Sequence, residues 1–148
     1  MHDNTISTFL WFDTQAEEAA KFYCSIFSNS KITSTGKTGT TFELNGQRYT
    51  AFNGGPHFKL SAAVSIFVSC STQAEIDALW ERFLSAGGTE TRCGWLVDQF
   101  GLSWQIIPRQ LLEMLSDPDP AKAGRAGAAM MQMEKINIAE LQRAYAGA

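Results

Sequence analysis

One phrase occurs twice in this chain, and the repeat constrains the fold more than any other feature. Phe9-Leu-Trp-Phe-Asp13 runs into Thr14-Gln15-Ala16-Glu17, and Phe67-Val-Ser-Cys-Ser71 runs into Thr72-Gln73-Ala74-Glu75. Each TQAE has the capping-box form, in which the Thr hydroxyl accepts from a backbone N–H three residues on and the Glu reaches back to the Thr N–H. Behind the first box Ala19, Ala20, Phe22, Tyr23, Ile26 and Phe27 recur at helical spacing; behind the second Ile76, Leu79, Trp80, Phe83 and Leu84 do. Three strand-like runs follow each helix: Ile32–Thr35, Thr40–Leu44 and Gln47–Asn53, then Thr89–Cys93, Trp95–Asp98 and Leu102–Pro108. With an apolar strand before each box, the chain reads strand, helix, three strands, twice over.

This predicts an α+β fold built from two βαβββ units at residues 6–54 and 63–108, within a single domain spanning 1–148. Asn45-Gly46, set between Phe42-Glu-Leu44 and Gln47-Arg-Tyr49, is a two-residue hairpin signal, because both turn positions need positive φ. Gly87 and Gly88 stop the second helix, and Gly101 sits in a tight turn before the last strand. From Arg109 onward the pattern is helical only. Asp119 is placed to cap a helix opening at Pro120 and running to about Met133, and Asn137 caps a final one. The tail's Met130, Met131, Met133, Ile136, Ile138 and Leu141 form too much apolar surface to be left bare, so the domain or a second subunit must cover them.

Composition narrows the function. Net charge is −3 across 148 residues, with no basic cluster, which speaks against nucleic acid. No apolar run is long enough to span a bilayer, the opening MHDNTIS has no basic and apolar leader, and three cysteines without CxxC spacing suggest a reducing compartment. The expectation is a cytoplasmic protein with no membrane contact.

The paired units, the Phe22-Tyr23 of the first helix and the Asp98-x-x-Gly101 turn resemble the vicinal oxygen chelate superfamily of glyoxalases, bleomycin-resistance proteins and extradiol dioxygenases. FLWFDTQAEEAAKFY, NGGPHFK, CGWLVDQFGLSWQIIP and LSDPDPAKA resemble, more narrowly, its PhnB-like branch, often labelled 3-demethylubiquinone-9 3-methyltransferase. The resemblance implies one curved mixed sheet around a cup, a homodimer, and a small-molecule ligand in the cup. A methyl donor bearing adenosine is usually held at a glycine-rich strand-to-helix turn in a doubly wound sheet. The turns here, Asp13-Thr14 and Ser71-Thr72, carry no glycine, so methyl transfer is not expected.

Members of the superfamily take metal ligands from the first, fourth, fifth and eighth strands. Anchored on Phe22-Tyr23, the first ligand position is Thr8, and the Thr14-to-Thr72 offset carries it to Ile66. The Asp98–Gly101 turn places the eighth-strand ligand at Gln105, and superposing Asn45-Gly46 on Phe100-Gly101 places its counterpart at Thr50. Divalent transition metals prefer imidazole, carboxylate or thiolate, which this quartet does not supply, so no metal or other cofactor is expected. Gln105 reads equally as a cup amide or as a sheet-bonded side chain. His57 and Lys59 follow a Gly-Gly-Pro turn whose N–H groups suit an anion, although an inter-unit linker reads the same way. Trp11, Phe67, Trp95 and Trp104 suit an aromatic pocket or a plain core. The expected ligand residues are Thr8, Thr50, Asn53, His57, Ile66, Trp95 and Gln105. They point to a protein that binds a small aromatic or anionic ligand; the alternative is a metal-dependent enzyme of the glyoxalase or dioxygenase type acting on a small oxygenated substrate.

Overall fold

A computed structural model describes residues 4–148, so His2 lies outside the described residues. The chain forms two compact units, dividing between Ser61 and Ala62.

In the first unit, β1 (Thr8–Phe12) leads into α1 (Ala16–Ile26), followed by β2 (Ser30–Thr35), β3 (Gly39–Leu44) and β4 (Gln47–Asn53). The sheet order is β1-β4-β3-β2, with β1 parallel to β4 and the other pairs antiparallel. The second unit repeats this with β5 (Ser65–Cys70), α2 (Gln73–Ser85), β6 (Thr89–Glu90), β7 (Trp95–Val97) and β8 (Ser103–Pro108), in the order β5-β8-β7-β6. Thr8 pairs with Tyr49, and its counterpart Ile66 pairs with Trp104, so the two parallel pairs share one register. Both sheets are mixed, and each has a helix packed against it.

Each helix buries one stripe. Ala16, Ala19, Ala20 and Tyr23 are the buried residues of α1, spaced as one helical face demands. Tyr23 meets Phe42, which stacks on Tyr49 with ring centroids 5.2 Å apart. In the second unit Ile76, Trp80 and Phe83 play this part, and the Phe83 ring lies 5.0 Å from that of Trp104. Asn45 and Gly46 both have positive φ, as the hairpin predicts.

The two boxes fold differently. Thr72 is the N-cap of α2, its hydroxyl accepting from Glu75 N–H at 3.2 Å, while the Glu75 carboxylate reaches Ser71 N–H at 2.7 Å. Thr14 does not cap α1. That helix starts at Ala16 after Gln15, which makes no side-chain cap bond, and the Ala16 N–H donates to Asn53 Oδ1 instead. The first TQAE is therefore not a capping box: the helix begins one residue later than the box requires, and its first N–H is capped by a side chain from β4.

The strand expected over Thr89–Cys93 stops at Glu90. Cys93 has φ of 58°, and the N–H groups of Cys93 and Gly94 go to the carbonyls of Met133 and Glu134 in the tail. The ladder ends because the chain turns between Thr91 and Trp95, closed by Thr91 N–H to Trp95 O and Trp95 N–H to Arg92 O.

The tail forms α3 (Arg109–Leu115), α4 (Pro120–Met130) and α5 (Ile138–Ala146). Asp119 and Asn137 cap α4 and α5 as the sequence predicts, although α4 ends at Met130 rather than near Met133. The tail closes on its own unit. Ile107 of β8 shares a buried cluster with Leu111, Met114, Ala126, Ile136 and Leu141, and Met130 and Met133 pack against it. Burying side chains such as Ile136 and Leu141 contributes about 1.5–3 kcal/mol each. Of the tail's apolar set, Met131 stays half exposed. Gln73 ties the tail down further: its amide donates to Ile136 O and accepts from Ile138 N–H.

Candidate functional site

Strand alternation gives each sheet one face under its helix and one face turned away from it, here termed the open face. In β1, Leu10 and Phe12 lie under α1, and Thr8, opposite Tyr49, belongs to the same face. Phe9 and Trp11 point the other way, opposite Thr50 and Phe52. In β5, Ile66 lies opposite the buried Trp104 on the helix side, and Phe67 lies opposite Gln105 on the open face.

The seven expected ligand residues therefore do not share a surface. Thr50, Trp95 and Gln105 are on open faces. Thr8 and Ile66 are turned to the helix side, because a one-residue step along a strand reverses the side chain. Asn53 is engaged at the start of α1. His57 is exposed in the turn that follows β4, close to Gly55.

On the open face of the second unit, Gln105 donates from Nε2 to Ser65 Oγ at 2.9 Å, and Trp95 is its cross-strand neighbour. Gln105 thus occupies an open face while hydrogen-bonded within its sheet. Trp104 is core: its Nε1–H donates at 2.9 Å to Asp98 Oδ2, and Asp98 Oδ1 accepts from Phe100 and Leu102 N–H. The Asp-x-x-Gly turn is thereby a folding device that fixes the start of β8.

On the open face of the first unit the aromatic residues gather. Trp11 is anchored at both ends of its ring system. Its Nε1–H donates to Gly55 O at 2.9 Å, and its six-membered ring lies over Gly54, where a Cβ would come within 2.2 Å of the ring. Phe52 and Phe58 stand edge-on to Trp11 with centroids 5.2 and 5.0 Å away, and Phe9 lies 5.4 Å from Phe52. Phe9 is 62% exposed and Phe58 67%. Phe9, Phe52 and Phe58 are absent from the expected set. The available signal was NGGPHFK itself, where two glycines leave room for a ring and an aromatic follows one residue after His57.

Among the described residues, no three His, Cys, Asp or Glu side chains converge as metal ligands would. Of the four positions expected to supply metal ligands, only Gln105 and Thr50 lie on open faces, and their amide and hydroxyl are poorly suited to a divalent transition metal. Of the cysteines, Cys70 is buried under α2; burial, and secondarily the Glu75 carboxylate, push its thiol up to about 11. Burial also raises the Cys24 thiol.

Two βαβββ units with matching strand order and register define a protein of the vicinal oxygen chelate, glyoxalase-like class. Within that class the chain belongs to the family described as 3-demethylubiquinone-9 3-methyltransferase, whose model matches residues 4–107. The PhnB protein of Bacillus cereus, which carries the same description, is 32% identical with a TM-score of 0.64, over 71% of this chain and 99% of its own. The fold is also shared with FosX, a fosfomycin resistance protein of Listeria monocytogenes solved with Mn(II) and sulfate (14% identity, TM-score 0.56, 73% of this chain and 94% of that one). A glyoxalase/bleomycin resistance protein of Albidiferax ferrireducens matches at 15% identity and a TM-score of 0.53, over 72% and 99% of the two chains. No curated protein matches. The family model covers residues 4–107, which excludes α3–α5.

Proposed function

We propose that this protein binds a small aromatic or anionic ligand on the open faces of its sheets, without a catalytic metal, as a cytoplasmic homodimer. The observation that carries the reading is the anchored Trp11, which holds Phe52 and Phe58 in edge-on geometry while Phe9 and Phe58 remain largely exposed. Rings exposed on a rigid sheet face have already given up their freedom of orientation, which lowers the cost of receiving a flat ligand. Thr50 lies opposite Phe9 and two residues before Phe52 on this face, and His57 precedes Phe58, so a hydroxyl and an imidazole border the rings. In the second unit Phe67 and Gln105 hold the positions of Phe9 and Thr50, and Trp95 lies across the ladder from Gln105. The family description names a methyl transfer, yet neither strand-to-helix turn has a glycine and neither sheet is doubly wound.

Calorimetric titration with benzoate, 4-hydroxybenzoate and other small aromatic acids tests this. At least one should bind saturably, and Phe58→Ala, a change at an exposed residue, should weaken it by about tenfold, the loss of ~1.4 kcal/mol of ring contact. Silence across the aromatic acids would remove the reading. Stoichiometric manganese, zinc, nickel or iron in the purified protein, lost in Gln105→Ala, would establish the metal-dependent alternative. Sedimentation at micromolar concentration reports the homodimer directly.

A further inference from the structure

The open face of the first unit holds a second feature, beside the aromatic rings. The β2–β3 ladder shifts register between Ile32 and Ser34. Such a bulge sets two residues of one strand against one of the other and re-aims a side chain. Thr33 and Ser34 both reach Thr41, with hydroxyl oxygens 2.8 and 2.6 Å from Thr41 Oγ1. One cross-strand row further, Lys31, Glu43 and Arg48 lie side by side across three strands. The Glu43 carboxylate is 3.8 Å from Lys31 Nζ and 3.9 Å from Arg48 Nε. Charge-assisted hydrogen bonds run at about 2.7–2.9 Å, so both contacts are loose. A groove of about 390 Å³ runs along these rows, with Ser7, Thr33, Thr41, Glu43, Arg48 and Thr50 in its lining.

We infer that this groove is a binding site for a neutral polyhydroxylated ring, a pyranose sugar or a cyclitol. The argument is the mixture of hydrogen-bonding types. A carboxylate only accepts, a guanidinium only donates, and a hydroxyl does either. A simple anion placed here would suit Arg48 but meet Glu43, and a simple cation would have the reverse difficulty. A vicinal diol donates to Glu43 and accepts from Arg48 with its neighbouring hydroxyls, and the threonine and serine hydroxyls match the rest of the ring in either sense. Phe9, opposite Thr50 in the β1–β4 ladder and largely exposed, offers an apolar surface for the C–H side of such a ring. The volume falls within the range of small-ligand sites, roughly 300–1,000 Å³.

The inference shares the open face, Phe9 and Thr50 with the aromatic-ligand proposal but turns on Glu43 and Arg48, which that proposal does not use, so the two fail separately. The test is a ¹H–¹⁵N titration of the full chain with D-glucose, maltose and myo-inositol, with inorganic phosphate and benzoate as controls. Saturable shifts of the Thr33, Thr41 and Thr50 amides are expected with a sugar or with inositol, and the responding arm tells which ring is preferred. Glu43→Gln and Arg48→Gln should each weaken binding by about tenfold or more, as expected when a hydrogen bond to a charged group is lost. Arg48 is well exposed, so its replacement leaves the fold intact even if Glu43→Gln does not. Three outcomes overturn the inference: no saturable shift with any of the three rings, phosphate saturating these amides while the rings are silent, or unchanged ring affinity in Arg48→Gln. Benzoate binding elsewhere on the face bears only on the aromatic proposal.

Discussion

The side-chain oxygen of Asn53 accepts the Ala16 N–H at 2.8 Å, so the first helix is capped from the far end of β4 rather than from its own Thr14. Because β4 pairs with β1, this bond closes the β1–α1 connection onto the sheet. Asn53→Ala should lower the stability of the first unit by ~1 kcal/mol, within the 0.5–2 kcal/mol range of cap deletions, and Asn53→Asp should retain most of it. Urea unfolding of the three proteins measures this. Equal midpoints for wild type and Asn53→Ala would mean that the Thr14 box takes over the cap.

Asp98 gathers three donors, the N–H groups of Phe100 and Leu102 and the indole of Trp104, in a setting where only 4% of the residue is exposed. Deleting the carboxylate leaves those donors buried without a partner, at ~1–3 kcal/mol for each group stranded. Asp98→Ala should therefore destabilise the second unit by several kcal/mol, far more than Trp104→Phe, which removes one donor and keeps most of the ring. Thermal unfolding of the pair checks the order, and a Trp104→Phe protein as unstable as Asp98→Ala would show that ring packing, and not the Asp98 hub, dominates.

These two residues also show what the sequence carried and what it did not. Signals confined to a few neighbouring residues were legible. Asn45-Gly46 needs two positive φ angles and has them, Thr72 caps its helix, and Asp119-Pro120 opens α4. The offsets that map Thr8 on Ile66 and Thr50 on Gln105 match the observed registers. Parity was lost, because a register equates positions in two units without saying which face either one shows; Thr8 and Ile66 correspond to each other and both lie under a helix. Long-range competition was also invisible. Asn53 taking the Ala16 N–H, and Met133 and Glu134 taking the Cys93 and Gly94 N–H groups, are contacts between residues that no local pattern links. The tail's apolar residues announced that they would be covered, and their own unit covers Ile136 and Leu141 completely.

Cys70 sits under α2 with its thiol pushed up to about 11, principally by burial. A raised folded-state value means that almost no thiolate exists near pH 8, and the thiolate is the nucleophile. Native protein treated with iodoacetamide at pH 8 should leave Cys70 unmodified, whereas denatured protein should alkylate it fully. Peptide mass mapping reads the difference. Rapid native labelling of Cys70 would show that β5 opens readily or that a nearby group activates the thiol.

The last prediction concerns Gly94, where the tail meets the sheet. Its φ is 82°, and a Cβ there would come within 2.6 Å of Ile107 Cδ1, 2.9 Å of Ile136 Cγ1 and 3.0 Å of Ile106 O. The two isoleucine side chains can turn aside, but the Ile106 backbone is held in β8: its N–H donates to Gly94 O, while the Gly94 N–H donates to Glu134 O. Gly94→Ala thus combines an unfavourable left-handed backbone, roughly 1–2 kcal/mol, with overpacking of ~1–3 kcal/mol. Relief is available on one side only, by letting the Met133–Ile136 segment lift away from Ile107. The variant should therefore keep its β-sheet circular dichroism while the amides of Cys93 and Ile138, both bonded within this contact, exchange faster with deuterium. Exchange unchanged at those amides, with stability lost uniformly across the second unit, would place the strain in the sheet and not in the tail.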